Sequence, residues 1–450
     1  MNLLSPQNDI FNYIHNYETT LLQKKKRGVV FTNESTIHDM LKILPNDVWN
    51  NKDLKWLDPA VGIGNFMIIV YFKLMDGLKN VIICEESRRK HILENMIFMV
   101  EFNNDYIQSL KEIFLSDKYQ LNIFHGSFVE LHTLPENTPI FPENNFDIII
   151  GNPPYQKENK INENKLSSKP LYHLFVERSV ELLYENGYLL LIHPYSWRRK
   201  SKEIRMIHRL LENKILYMYT NNDFKDFNTS APFINYYLLK KSPYDKNHKT
   251  IYHTSFNSGI FKGKLHLQKD LCFIPSFLTK ETITIVTKMI SKKGDKLNIK
   301  LESKLSTSKK PSNINKHKTD IFLYKNYHNF STKHGDIYRY SSRKHPCHEK
   351  EKIIMNFKGG YKILNPFIDN GTLGVTDNSM FMIVTNDNKE LILNFLKSKL
   401  LRFFLMTTTY NYGANQKNEF NIMNLITIPD KYNEEIDLYH FYQFTKKEIE

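Results

Sequence analysis

Residues 146–155 carry the pattern most suggestive of chemistry, because the apolar run FDIIIG is followed directly by NPPY. Each proline fixes its own φ near about −65° and biases the preceding residue away from helix. We therefore expect Asn152 and the Pro153 carbonyl to be held at the carboxyl end of a strand, the edge where open α/β sheets bind ligands. Two such acceptors beside the Tyr155 ring suit a flat ligand with an amino group, such as a nucleobase. For the tetrapeptide alone, an ordinary loop after a buried strand is the alternative.

Two upstream segments predict strands that end at the same edge. Residues 55–66, KWLDPAVGIGNF, predict a strand, a glycine turn and a helix, with Asp58 at the end of the strand. The glycines let the backbone turn sharply and approach a ligand, and the helix N-terminus offers free N–H groups. Residues 81–86, VIICEE, are a second apolar run that ends in carboxylates. An acid at that position commonly holds ribose hydroxyls, which predicts Glu85 for this role, with Glu86 as the alternative.

The alternation of strands and helices predicts the fold class. Seven apolar runs, separated by helical patterns, predict strands at 55–58, 81–86, 121–128, 146–151, 187–194, 215–220 and 233–241. Such alternation is typical of an α/β fold with a doubly wound, mostly parallel sheet of seven strands.

Beyond residue 241 the alternation stops, which predicts a division into domains. We expect an N-terminal leader at 1–27, a catalytic domain at 28–241, a basic linker or insertion at 242–320 and an α+β domain at 321–450. Residues 288–320 hold ten Lys or Arg and three acids, which indicates an exposed basic segment. A phosphate-contacting role and a solvated insertion both remain open for it.

The overall charge favours a polyanionic partner. The chain of 450 residues has 62 Lys and Arg against 48 Asp and Glu, a net charge of +14. Nucleic acid is the first candidate, and AT-biased coding is the alternative source of the lysines.

Cysteine usage and hydropathy indicate a reducing, cytoplasmic location. The three cysteines lie far apart and form neither a disulfide framework nor a CxxC pair. No apolar run reaches membrane-spanning length, and the first residues lack the layout of a secretion signal. His345, Cys347 and His348 are predicted to be surface residues, and no metal site is predicted.

The motifs DPAVGIGNF at 58–66 and NPPY at 152–155 resemble those of the S-adenosylmethionine-dependent DNA adenine methyltransferases. Their order is similar to that of the gamma class, in which a segment like 28–32 comes first and a target-recognition domain comes last. The resemblance spans residues 24–241. It implies a Rossmann-like methyltransferase fold, S-adenosyl-L-methionine as cofactor and transfer of its methyl group to the 6-amino group of adenine. The substrate implied is double-stranded DNA with the target adenine flipped out.

The resemblance also implies roles for individual residues. The catalytic residues would be Asn152, Pro153, Pro154 and Tyr155, and Phe227 would join Tyr155 in stacking on the target base. The cofactor-binding residues would be Thr32, Asp58, Gly62, Gly64, Glu85, Ser127 and Asn152. Ser127 stands where the family usually has an acid, and its hydroxyl can accept a hydrogen bond from the cofactor's adenine without a charge.

Three other functions fit parts of the pattern. A protein glutamine methyltransferase shares the NPPY motif. Members of that class, however, are shorter than this chain and lack a large C-terminal domain. An RNA adenine methyltransferase would share both pocket and charge, and an inactive DNA-binding subunit is the third alternative. A separate restriction endonuclease is a further candidate partner.

Overall fold

The computed structural model describes residues 2–23, 32–129, 146–155, 171–199, 205–221, 234–256, 259–301, 305, 313–356, 364–409, 422–431 and 433–449. The chain forms two compact units. The first comprises residues 1–197 and 203–271, and the second comprises residues 198–202 and 272–450.

The first unit is built around one large mixed sheet. Its strands are β1 (Trp56–Asp58), β2 (Ile97–Glu101), β3 (Asn122–His125), β4 (Phe146–Gly151), β5 (Leu183–Pro194), β6 (Asn213–Asn221), β7 (Ile234–Pro243), β8 (Thr250–Phe256) and β9 (Gly259–Leu265). Its helices are α1 (Gln7–Gln23), α2 (Glu34–Leu41), α3 (Asn65–Gly77), α4 (Glu85–His91), α5 (Asn104–Ile113), α6 (Leu171–Leu182) and α7 (Arg205–Leu211). A 3-10 turn spans Asn46–Trp49, and a π-helical turn spans Ile92–Met96.

The strand order is β3-β2-β1-β4-β5-β7-β6-β8-β9. From β3 to β5 neighbouring strands are parallel, whereas β7 runs antiparallel to both β5 and β6. The central strand β4 is almost wholly buried, as expected for a parallel strand covered on both faces. Because β1, β2 and β4 are parallel, their carboxyl ends meet at one edge of the sheet.

The α/β class with a large sheet is confirmed, but the count of seven strands is wrong. Within the described residues the sheet has nine strands. β8 pairs parallel with β6, and β9 pairs antiparallel with β8. Both strands lie in the stretch that was predicted to be a polar linker, because β9 is an exposed edge strand with little apolar sequence. The linker predicted at 242–320 is therefore divided between the two units.

The predicted strand at 81–86 is also wrong. Val81 and Ile83 are 45% and 85% exposed, and Glu85 begins α4. The strand beside β1 is instead β2, in which every residue is buried. Periodicity cannot distinguish a short buried strand from a buried helical segment, and the apolar run of β2 was not among the predicted strands.

The second unit combines helices with two small sheets. Its strands are β10 (Lys300–Leu301), β11 (Ile314–Asn315), β12 (Tyr324–Ser331), β13 (Gly335–Ser341), β14 (Glu351–Asn356), β15 (Phe367–Asn370), β16 (Gly374–Val375) and β17 (Ser379–Ile383). Its helices are α8 (Lys280–Ser291), α9 (Lys389–Lys397), α10 (Lys399–Thr408), α11 (Glu435–Phe441) and α12 (Lys446–Ile449). The sheet orders are β10-β17-β14-β15 and β11-β13-β12-β16.

The start of the predicted basic segment at 288–320 is part of this fold. Lys288 lies in α8, and its ammonium group donates to Glu448 at 2.7 Å. Lys296 donates to the carbonyl oxygens of Ile290 and Lys292, and Leu297 is buried in the core. These two lysines stabilise local structure, whereas most residues of 291–300 are exposed. The prediction of an exposed segment therefore holds only in part here.

The prediction that His345, Cys347 and His348 are surface residues is wrong, since all three are buried. The Nδ1 atom of His345 lies 2.8 Å from the Sγ atom of Cys347, and Nε2 of His348 lies 3.1 Å from the carbonyl oxygen of Lys325. These polar side chains are buried because they bond to each other and to the backbone. Among the described residues, no group of three or more His, Cys, Asp or Glu side chains is placed to hold a metal ion. No described helix is both long enough and apolar enough to cross a bilayer.

Candidate active site

The candidate site lies where β2, β1 and β4 end side by side. Asp58 is the last residue of β1, Glu101 is the last residue of β2, and Gly151 ends β4 immediately before Asn152. Main-chain pairing fixes these three strands in register. The strand order therefore brings two carboxylates and the NPPY segment to one edge of the sheet.

The glycine turn after β1 is tied to the end of β2. Gly62 and Gly64 have φ values of 59° and 103°, in the left-handed region that favours glycine. The N–H of Gly62 donates to Oε2 of Glu101 at 2.9 Å. Oε1 of Glu101 accepts from the N–H groups of Phe102 at 2.9 Å and Asn103 at 2.7 Å. One carboxylate thus fixes both the turn and the start of the next loop.

Asp58 is a buried carboxylate, 1% exposed. Its Oδ1 accepts a hydrogen bond from the N–H of Ala60 at 3.0 Å. Burial raises the pKa of Asp58 to about 8, the nearby Glu101 adds to the rise, and the Ala60 N–H opposes it. No Lys, Arg or His of the described residues forms an ion pair with Asp58, so a cation brought to this edge would find an uncompensated carboxyl group.

Gly151 leaves the space that the Asp58 carboxyl group fills. A Cβ atom at residue 151 would lie 2.5 Å from Oδ1 of Asp58, closer than real Cβ contacts occur. The glycine before the NPPY segment is therefore required by close approach to the neighbouring strand.

Asn152 is oriented by Thr32. The Nδ2 atom of Asn152 donates to Oγ1 of Thr32 at 3.0 Å, across 120 residues of sequence. Thr32 is itself buried, and its carbonyl oxygen accepts from Nδ2 of Asn65 at 3.4 Å. The amide plane of Asn152 is thus held between the end of β4 and the segment that precedes α2.

An aromatic cluster in α6, β5 and β7 lies close to the NPPY segment. The rings of Tyr172 and His193 stack at 4.6 Å, and Nε2 of His193 lies 3.3 Å from the hydroxyl oxygen of Tyr237. Burial lowers the pKa of His193 to about 3, so this imidazole is neutral. Burial also raises the pKa of the Tyr155 hydroxyl, with a smaller contribution from Tyr172. This cluster was not predicted, since it depends on packing between separate elements.

The structure brings most of the predicted site residues together. Those at the ligand edge or next to it are Thr32, Asp58, Gly62, Gly64, Ser127, Asn152, Pro153, Pro154 and Tyr155. Ser127 is placed there because it lies two residues beyond β3, the neighbour of β2. Phe227 and residues 28–31 lie outside the described residues.

Glu85 is not at the strand end where it was predicted. It is 67% exposed in α4 and pairs with Arg89 at 2.6 Å, and Glu86 pairs with the same guanidinium at 3.0 Å. The acid next to Asp58 across the sheet edge is Glu101, which was not predicted from the sequence. The sequence pattern that could have identified Glu101 was present, since IFMVE at 97–101 is also an apolar run that ends in an acid.

The sequence of this chain is similar to a family of methylases and to curated adenine methyltransferases. Residues 71–229 match the model of the Eco57I restriction-modification methylase family. An uncharacterized adenine-specific methylase of Mycoplasma pneumoniae is 26% identical over an alignment of 259 residues, and the match covers 41% of this chain and 60% of the relative. The tRNA1(Val) (adenine(37)-N6)-methyltransferase of Christiangramia forsetii is 34% identical over 120 residues, 25% of this chain and 48% of the relative. The chain thus spans about half the length of the curated relatives it matches.

Solved structures share the fold. The type IIL restriction-modification enzyme MmeI in complex with DNA has a TM-score of 0.55 at 12% identity, covering 88% of this chain and 68% of that one. A nuclease-deletion mutant of the type ISP enzyme LlaGI with a DNA substrate mimic has a TM-score of 0.53 at 13% identity, covering 91% and 55%. The resemblance to DNA adenine methyltransferases that the sequence indicated is confirmed by the family model and by the adenine-specific methylase.

Proposed function

We propose that this chain, which matches the Eco57I restriction-modification methylase family at residues 71–229, is a sequence-specific DNA adenine methyltransferase with a Rossmann-like catalytic fold. It would transfer a methyl group from S-adenosyl-L-methionine to the 6-amino group of adenine. The observation that carries the proposal is the placement of Asn152 and Pro153 at the end of β4, beside the buried carboxyl group of Asp58.

The residues at the edge fit S-adenosyl-L-methionine. Asp58 offers a carboxyl group without a cationic partner among the described residues, which suits the positively charged methionine end. Glu101 would accept hydrogen bonds from ribose hydroxyls in addition to those it accepts from three backbone N–H groups. Phe102 is 75% exposed directly after it, and an exposed ring at this point suits the flat adenine group. Ser127 could accept a hydrogen bond from the adenine amino group.

The cofactor supplies a methyl group on a sulfonium, and the chain must make a poor nucleophile reactive. The lone pair of the adenine amino group is conjugated into its ring. If the Asn152 amide oxygen and the Pro153 carbonyl oxygen both accept its hydrogens, the nitrogen is drawn towards tetrahedral geometry. The same oxygens stabilise the positive charge that develops there. Thr32 holds the amide in place at 3.0 Å, and no general base is needed before transfer.

The target base must leave the duplex to reach this edge. Flipping costs a few kcal/mol, and stacking on an aromatic ring offsets about 1–3 kcal/mol of it per base. Tyr155 would provide one ring, and Phe227 is proposed as the other. Residues 321–450 are proposed to read the DNA sequence, and a separate restriction endonuclease is proposed as a partner.

An RNA adenine methyltransferase is the second candidate, because one relative carries the name of a tRNA methyltransferase. The two functions are separated by incubating the protein with labelled S-adenosylmethionine and DNA, RNA or protein, followed by mass spectrometry of the product. We expect N6-methyladenine in DNA. Label in RNA alone or in glutamine would overturn the proposal.

Replacing Glu101 tests the cofactor site. We expect Glu101→Ala to weaken S-adenosylmethionine binding more than tenfold, because it removes the acceptor proposed for the ribose hydroxyls and also the acceptor that fixes the Gly62 turn. A hydrogen bond to a charged group is worth about 1.5–3 kcal/mol. The exposed Glu85→Ala is the matched control and should bind normally. The measurement is isothermal titration calorimetry with both variants. A loss of cofactor affinity confined to Glu85→Ala would assign the ribose to Glu85 and reject Glu101.

The raised pKa of Asp58 predicts pH-dependent cofactor binding. Below about pH 8 the ligand-free carboxyl group is mostly protonated, whereas a cationic ligand binds the ionised form. We therefore expect affinity to fall as the pH drops below 8, and binding at pH 7 to release a proton. Calorimetry in buffers of different ionisation enthalpy measures that release. Asp58→Asn should bind weakly and without this pH dependence, and a wild-type affinity that is flat from pH 6 to 9 would refute the assignment.

A further inference from the structure

A cleft lies at the edge of the large sheet opposite the candidate active site. It has a volume of about 740 Å³. Its lining residues come from the start of β5 and β6 and from the end of β7 and the turn after it. Because β5 runs parallel to β4, these amino-terminal ends lie away from the edge that holds Asn152.

One wall of the cleft is a row of three side chains on neighbouring strands. Tyr188 of β5 pairs with Lys240 of β7, and Lys240 pairs with Lys214 of β6. Directly opposed residues on adjacent strands project from the same face. The row therefore places an aromatic ring and two ammonium groups side by side, and Nζ of Lys240 lies 5.9 Å from the centre of the Tyr188 ring.

The cleft has an excess of positive charge. Lys214, Lys240 and Lys246 line it together with one carboxylate, Asp245. Asp245 lies 3.5 Å from Lys214, and both side chains remain partly exposed. In the described part of the chain, neither Lys240 nor Lys246 has an ion-pair partner. The charge left over favours an anionic ligand.

Ser242 adds an unused polar group to the wall. The residue is 8% exposed, and its buried hydroxyl has no hydrogen-bond partner among the described residues. Buried polar groups are normally hydrogen-bonded, so the wall of the cleft contains one unsatisfied hydroxyl group.

We propose that this cleft binds a phosphate ester of nucleotide size. The phosphate is held by the ammonium groups of Lys214 and Lys240, and the attached ring lies against Tyr188. The volume falls within the range of about 300–1,000 Å³ that is usual for small-molecule sites. The site is distinct from the one proposed for methyl transfer and does not depend on it.

The test uses uridine 5′-monophosphate and calorimetry on the full chain, with the active site saturated by S-adenosylhomocysteine. A pyrimidine probe avoids the adenine-binding positions. We expect Lys214→Gln/Lys240→Gln to bind the probe at least tenfold more weakly than wild type, with an unchanged melting temperature. Lys264→Gln, on the exposed edge strand β9 away from the cleft, should bind normally. Uridine without phosphate should not bind, and Tyr188→Leu should weaken binding of the nucleotide but not of inorganic phosphate.

A short G·C duplex distinguishes a free nucleotide from a nucleic-acid backbone as the source of the phosphate. If only the duplex loses affinity in the double variant, the cleft binds phosphates of nucleic acid. If the double variant binds nucleotide, inorganic phosphate and duplex as well as Lys264→Gln does, the proposal is overturned. Methyl transfer is measured in parallel, so a failure of this site is distinguished from a failure of the proposed activity.

Discussion

Asn152→Ala should reduce methyl transfer by about 10²–10³-fold or more, the range seen when one preorganised group that stabilises transition-state charge is removed. The amide of Asn152 is positioned by Thr32 at 3.0 Å, and this hydrogen bond joins two segments that are far apart in sequence. Alanine removes both the acceptor for the target amine and the group that Thr32 orients. Binding of the cofactor should change much less, because Asp58, Glu101 and the glycine turn remain.

Single-turnover assays of labelled methyl transfer and calorimetry of cofactor binding separate these effects. Asn51→Ala, an exposed asparagine outside the site, is the matched control and should keep wild-type rates. Thr32→Val tests the orienting hydrogen bond and should give a smaller loss, with DNA affinity unchanged. Turnover close to wild type in Asn152→Ala would refute the catalytic assignment.

Site residues could be predicted from the sequence where one short segment contains both an apolar strand and the residues that end it. At β1 and β4 an apolar run stops at Asp58 or at Gly151, and glycines or prolines follow at once. Their conformational limits are local, so the residues at the strand ends could be identified without tertiary information. Thr32 was assigned to the cofactor site only through the family resemblance, and its hydrogen bond to Asn152 was not predicted.

The acid proposed to hold the ribose was assigned to Glu85 because two runs have the same local pattern. Residues 81–86 and 97–101 both read as apolar strands that end in acids. What separates them is burial, since Ile83 is 85% exposed whereas Val100 is 1% exposed. Burial depends on which run pairs with β1, and that choice is made by the whole sheet. The π-helical turn at Ile92–Met96, directly before β2, further hid the change from helix to strand.

Strands β8 and β9 and the aromatic cluster could not be predicted from the sequence for a similar reason, because both depend on tertiary packing. In β9 exposed and buried residues do not alternate regularly, so the period-two pattern that predicts a strand is weak. His193 reads as one polar residue at the end of an apolar strand. Its neutral state follows from burial against Tyr172 and Tyr237, which come from other elements.

Gly151→Ala should disrupt the site at its tightest contact. The added Cβ would lie 2.5 Å from Oδ1 and 3.0 Å from Cγ of Asp58, so either the carboxyl group or the end of β4 must move. Overpacking of this kind costs about 1–3 kcal/mol of the free energy of unfolding. Displacement of Asp58 should also weaken cofactor binding more than tenfold, and displacement of Asn152 should lower turnover.

A double-mutant cycle identifies the contact responsible. Asp58→Ala removes the atoms that the new methyl group would strike, so Gly151→Ala should destabilise that background less than it destabilises wild type. Denaturant unfolding of the four proteins measures the coupling. Cofactor affinity should not return in the double variant, because it lacks the carboxyl group. Equal destabilisation in both backgrounds would show that the requirement for glycine comes from the backbone of residue 151, and that contact with Asp58 is not its cause.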